Sequence, residues 1–182
     1  MRIIKMTATF GRLNHAVLEP GPGLNLIEAP NESGKSTWCA FLRSMLYGIP
    51  TRERDRQDYI AEKNRYQPWS GSAMEGALEL EWKGERITIR RGPRGNTPFG
   101  AFSAVYSDTG EPVPGLTAAN CGETILGVSR SVFEKSAFVG QGGAAISADA
   151  ELERRIAALV SSGEEDVSYS QVEGTLKEWL RR

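Results

Sequence analysis

The chain has 182 residues, 40% of them hydrophobic and 25% charged, a balance that suits one globular domain or one lobe of something larger. Its 22 Lys+Arg stand against 23 Asp+Glu, which argues against wholesale coating of nucleic acid and leaves room for one basic face. Cys39, Cys121 and the single His15 have no metal-binding spacing and read as two reduced thiols and a lone histidine of a cytoplasmic protein.

The N-terminus, "MRIIKMTATFGR", lacks the apolar core of a signal peptide, and no run approaches the roughly 20 apolar residues of a membrane helix. The same stretch alternates Ile3, Lys5 and Thr7 against Ile4, Met6 and Ala8, which predicts a strand. "GPG" at 21–23 marks a turn, and "LNLIEA" at 24–29 predicts a short apolar strand running into a loop. Trp38, Phe41, Leu42, Met45 and Leu46 fall at i, i+3, i+4, i+7 and i+8, the stripe of a helix, with Gly48 and Pro50 ending it.

Residues 51–65 are charged and mixed in sign, as expected of an exposed loop. From Gly76 the period becomes two. "GALELEW" puts Leu78, Leu80 and Trp82 on one face, "KGE" turns, "RITIR" returns with Ile87 and Ile89, and "FSAVYS" supplies a third strand, so an antiparallel meander is expected. Lys83, Arg86, Arg90, Arg91 and Arg94 form a local basic excess there, diluted by Glu81 and Glu85. It reads either as a DNA-phosphate contact or as a solvated face.

Beyond Gly115 the pattern is helical. Ser131 with Glu134, and Ser170 with Glu173, have capping-box spacing. Leu152, Ile156, Leu159 and Val160 form one face closed by Gly163, and Val172, Leu176, Trp179 and Leu180 begin another that is still amphipathic at "WLRR". The expected organisation is a lobe over 1–165 and, over 166–182, the start of a helix cut off in mid-pattern.

The chemistry lies in "EAPNESGKST", residues 28–37. It ends as a phosphate-binding loop ends, but Ala29 stands where G-x-x-x-x-G-K-[ST] has its first glycine. A strand feeding a compact turn and a helix start aims backbone N–H groups and the positive end of the helix dipole at one anion. The cradle would comprise Asn31, Glu32, Ser33, Gly34, Lys35, Ser36 and Thr37. Lys35 would reach the terminal phosphates and the Ser36 hydroxyl would be a Mg2+ ligand. Ala29 is compatible with this if its φ is negative.

The acidic strand that usually completes a Mg2+ site is not evident. "FSAVYSD" ends in Asp108, but "TGEP" follows and makes it a hairpin turn. "ALVSSGEED" has helical spacing, and no "LSGG"-like stretch occurs.

Taken together, "ATFGRLNH", "GLNLIEAPNESGKST", "MLYG", "RYQPWSG" and "FVGQGG" resemble the SMC-like ATPases of DNA repair, of the SbcC, RecF and RecN kind, within the ABC-ATPase superfamily. The bacterial YhaN-type proteins are the most similar of these. The match covers nearly the whole chain and departs from the family loop at Ala29.

The resemblance implies an α/β P-loop NTPase fold, specifically the N-terminal lobe of an ABC/SMC-type head with an antiparallel β subdomain. It implies ATP and Mg2+ as cofactors, Gln141 of "FVGQGG" as a Q-loop residue serving Mg2+ and the attacking water, Asn31 near the terminal phosphate, and Arg12 on the nucleotide. On the residues alone, Gln141 reads equally as a turn, Asn31 as a loop cap and Arg12 as a solvated side chain. Implied partners are the C-terminal half of the same head, a second head, and as further candidates DNA and a nuclease subunit. Catalysis by Lys35 and Gln141 would then need the assembled head. The competing readings are a self-contained P-loop kinase and a nucleotide-insensitive module that kept the fold.

Overall fold

The computed structural model describes residues 1–137 and 150–162. They form two compact units, Met1–Gly127 and the unit within Val128–Arg182. The boundary expected at 165/166 lies outside the described residues, as do Gln141, Ser170, Glu173 and the final predicted helix.

The first unit is built on one antiparallel sheet of five strands in the order β2-β1-β3-β4-β5. Strand β1 (Arg2–Phe10) pairs with β2 (Leu13–Leu18) across a tight turn at Gly11 and Arg12, and on its other edge with β3 (Glu75–Trp82). The meander continues through β4 (Glu85–Arg94) and β5 (Thr97–Tyr106), as the alternating pattern predicts. Lys83 and Gly84 join β3 to β4 with φ values of 55° and 84°, the left-handed pair that matches the twist of a two-residue hairpin.

One face of the sheet carries the core. Leu78, Leu80, Ile87 and Ile89 are fully buried beside Met6, Ala8 and Phe10. Helix α1 (Lys35–Tyr47) lies on that face. Its predicted stripe is realised: Phe41, Met45 and Leu46 are buried, each worth about 1.5–3 kcal/mol of transfer free energy. The fit is close. A Cβ at Gly76 would come within 2.3 Å of the Phe41 ring, so only glycine lets β3 run beneath α1. Gly122, on α3 (Cys121–Leu126), gives Tyr47 the same clearance. A short helix, α2 (Glu62–Arg65), sits within the expected loop, and its Glu62 pairs with Arg43 of α1.

Arg91 corrects the basic-hairpin reading. It is 5% exposed and lies on the core face, in phase with Ile87 and Ile89. Its guanidinium donates to the carbonyl of Met45 at 2.8 Å, of Leu46 at 3.4 Å and of Ala118 at 3.0 Å. The last carbonyls of a helix have no intrahelical partner and carry its negative dipole end, so a buried cation there satisfies both. Burial lowers the pKa of Arg91 from its ordinary value, and burial pushes the nearby Cys121 thiol up to about 11. Cys121 therefore stays a neutral core filler. Arg86, Arg90, Arg94 and Lys83 are exposed.

The segment 24–29 differs from expectation. It has no regular secondary structure and joins no sheet, and Leu24 and Leu26 are 98% and 90% exposed. A strand exists only where a neighbour accepts its ladder, and among the described residues none is offered.

In the second unit, α4 (Arg130–Ser136) is capped by Ser129, whose hydroxyl accepts from the N–H of Val132. The capping box read at Ser131 and Glu134 is thus displaced: Ser131 is inside the helix, and Glu134 bonds Arg130 at 2.8 Å. Helix α5 (Ala150–Ser162) forms where the helical spacing predicts it, with Ile156 of that face 52% exposed.

Replacing Arg91 by Ala should strand three buried or half-buried carbonyls and lower stability by about 2–4 kcal/mol. Arg90→Ala, on the open face, should change it by less than about 0.5 kcal/mol. Urea denaturation of the two variants checks the contrast, and equal midpoints would refute the capping role.

Candidate phosphate-binding site

The loop before α1 is shaped by Gly34, which caps the helix with φ 97° and ψ 11°. That left-handed conformation is strained for any residue with a Cβ, and a Cβ here would also lie 3.0 Å from the Leu13 side chain of β2. The cap has no side-chain hydrogen bond. The first-turn amides of α1 therefore lack a side-chain acceptor at the positive end of a 13-residue helix. Trp38 N–H closes the first turn onto the Gly34 carbonyl at 3.0 Å, and Ser33 N–H bonds the Pro30 carbonyl at 3.3 Å.

Lys35 folds back over this loop. Its ammonium donates to the carbonyl of Ala29 and, at 2.7 Å, to that of Pro30. The cation is held by neutral acceptors alone at the centre of the curl. A phosphate oxygen is a stronger, charge-assisted acceptor for the same group. The Ser36 hydroxyl is exposed one residue further on. Thr37 is wedged under the β1–β2 turn, its methyl 3.2 Å from where a Cβ on Gly11 would stand.

Ala29 is not among the residues with positive φ, so alanine fits the first-glycine position without strain. Glu32 is, with φ 63°, an uncommon state for a non-glycine residue. Its carboxylate lies 3.6 Å from the Arg12 guanidinium. The β1–β2 turn thus brings Arg12 to the loop, and Asn31, Glu32, Ser33, Gly34, Lys35, Ser36 and Thr37 gather there with it. Asp108 lies in a turn after β5, as expected.

Sequence reasoning missed Trp69. Its ring lies 5.2 Å from the Arg12 guanidinium. The sequence signal for it is its place in "RYQPWSG", one of the segments that carry the family resemblance.

The geometry is that of a phosphate loop, and sequence comparison gives its family. Residues 1–136, about three quarters of the chain, match the family model described as AAA domain. The chain belongs to the AAA domain family. No curated protein matches it significantly. Membership makes this AAA domain a P-loop nucleotide-binding domain of ATPase type, and such domains generally bind ATP with Mg2+. The match ends within α4 of the AAA domain and spans every loop residue described above. No helix among the described residues is long and apolar enough to cross a membrane.

In this AAA domain Ala29→Gly should leave ATP affinity within about twofold, since no strain is relieved. Gly34→Ala should abolish binding, because it is strained at φ 97° and crowds Leu13. Calorimetric titration with ATP and magnesium decides. Binding gained by Ala29→Gly in a parent that lacks it would mean that the loop has decayed.

Proposed function

We propose that this chain is the ATP-binding N-terminal half of an SMC-like ATPase head that acts in DNA repair or recombination, and that it hydrolyses ATP only when joined to its C-terminal half and paired with a second head. The observation that carries this reading is the segment 24–29, which pairs with no strand among the described residues. Its Leu24, Leu26 and Ile27 are exposed, and it leads through the loop into a glycine-capped helix. A phosphate loop normally springs from a strand inside a sheet, and in this reading the C-terminal half of the head supplies the neighbouring strand.

The residues present fit ATP and Mg2+. Lys35 is held at the loop by neutral carbonyls, and the Gly34 cap leaves first-turn amides for an anion. When bound, magnesium-ATP supplies the phosphoanhydride whose terminal phosphoryl group passes to water. In this reading the loop amides from Asn31 to Thr37 hold the polyphosphate, and Lys35 neutralises its terminal charge. Ser36 and Gln141 provide magnesium ligands beside phosphates and waters, and the carboxylate that usually joins them comes, in this reading, from the C-terminal half. Arg12 touches the nucleotide, Asn31 lies near the terminal phosphate, and Gln141 orients the water.

Among the described residues Arg91 is the only buried charged side chain, and no cluster of metal-binding side chains occurs. The competing reading, a self-contained kinase, would require a carboxylate beside the loop to hold magnesium.

The isolated chain should bind ATP and show only background phosphate release, because losing even one preorganised stabilising group costs about a hundredfold or more in rate. Lys35→Ala should abolish binding while leaving the fold intact. Addition of the C-terminal half should restore turnover, with a steep dependence on protein concentration because two heads must meet. Robust Lys35-dependent turnover by this chain alone would overturn the split-head reading.

DNA contact falls to the exposed side chains Lys83, Arg86, Arg90 and Arg94, with Arg91 withdrawn to the core. Arg90 also lines a groove of about 510 Å³ on the sheet's open face, with Thr7, Thr9, His15 and Ser103. Arg90→Glu in the assembled head should weaken duplex DNA binding and make its salt dependence shallower by about one charge. An unchanged slope would leave these residues as a solvated face.

A further inference from the structure

Trp69 is 71% exposed, yet its backbone is tied to the β1–β2 turn. Its N–H donates to the Gly11 carbonyl at 2.9 Å, and the Gly11 N–H donates to the Tyr66 carbonyl at 2.7 Å. Tyr66 stacks on the fully buried Phe10 with ring centroids 4.9 Å apart. The core therefore fixes where the indole stands, although the indole itself adds little to the core. What it meets is Arg12, on the same turn as Gly11, at 5.2 Å from the ring centroid.

An arginine on a two-residue turn ordinarily samples many rotamers. Stacking a guanidinium on an indole removes much of that freedom and leaves the planar donor fork open at its edge. The edge of Arg12 is turned to the phosphate loop, where the Glu32 carboxylate takes it at 3.6 Å. Glu32 comes from the loop itself and holds a positive φ of 63°. Such backbone strain persists where surrounding structure imposes it, and it clusters at ligand clamps and switches. A carboxylate at this place has the charge sign of a phosphate and competes for the same donor.

We propose that Trp69 is a positioning residue that holds Arg12 ready for the nucleotide's polyphosphate, and that Glu32 is an internal anion that occupies Arg12 until phosphate displaces it. This rests on the reading of the loop as an ATP site with Arg12 touching the nucleotide. The bland alternative, an indole that merely shields the turn, makes no demand on Arg12 and none on Glu32. On the proposal the three side chains form one unit: the ring sets the direction of the guanidinium, and the carboxylate keeps it from other anions. Like charges cannot share the site, so phosphate arrival expels Glu32, and a loop held by Glu32 is a loop not yet loaded.

The test is calorimetry of the full chain with ATP and magnesium, beside the same titration of Lys35→Ala. Binding by the parent and none by Lys35→Ala establishes the nucleotide site independently of Trp69; no binding by the parent overturns the nucleotide reading and this inference with it. With the site established, Trp69→Ala should weaken ATP about threefold to fivefold, and Trp69→Phe should recover most of the loss, as a cation–ring contact predicts. Arg12→Ala combined with Trp69→Ala should be no weaker than Arg12→Ala alone, because the ring acts only through the guanidinium. Glu32→Gln should tighten ATP about twofold to fourfold, the scale of an exposed ion pair released. ATP should also change tryptophan emission in the parent and not in Trp69→Phe. Full affinity in a folded Trp69→Ala variant, additive losses from Arg12 and Trp69, or weaker binding by Glu32→Gln would each overturn the assignment.

Discussion

The arrangement depends on how the two ends of α1 are held. At the carboxyl end the Arg91 guanidinium reaches from β4 into the core and ties down the carbonyls of Met45 and Leu46. Along its length Phe41 presses on Gly76, where only hydrogen stands between ring and strand. With these two restraints the helix has one register and one direction on the sheet. Its amino end, where Gly34 turns the chain under Leu13, is then placed by structure more than ten residues away. The binding loop inherits its position from the core and needs no dense packing of its own.

The β1–β2 turn links the core to the site by a second route. Gly11 takes a hydrogen bond from Trp69 and gives one to Tyr66, while its neighbour Arg12 faces the loop. Phe10, immediately before it, lies in a cluster with Phe41, Tyr66 and Phe99. A short stretch of chain thus joins an aromatic core to a charged mouth. The loop itself is closed by Lys35, whose ammonium bonds the carbonyls of Ala29 and Pro30.

Periodicity carried the sequence reading far where packing is the deciding force. The stripe on α1 and the alternation through Leu78, Leu80, Ile87 and Ile89 were visible because burial on one face is written every 3.6 or every two residues. The same alternation places residue 91 on the core face, but charge suggested surface, and only the carbonyls at the end of α1 explain the exception. Strand β2 was hard to see because it is an edge with Asn14, His15 and Val17 exposed, so its apolar content is thin. The segment 24–29 misled in the opposite sense: its composition is that of a strand, but pairing depends on a neighbour that composition cannot reveal. At the site, the loop was legible as a motif, and Arg12 only through resemblance. The contact between Arg12 and Trp69 joins residues far apart in the chain, and no local pattern announces it.

The exposed run of Leu24, Leu26 and Ile27 bears on how such a chain must be handled by a cell. An apolar segment that no described strand pairs with is a template for any strand that reaches it. In the split-head reading the neighbouring strand therefore competes with every other chain in the vicinity, including further copies of this one. Speed of assembly becomes a matter of quality control: the longer the segment waits unpaired, the more copies are lost to self-association. A chain that carries both its template and the matching strand would win that race by high effective concentration, whereas two separate pieces would depend on abundance and timing.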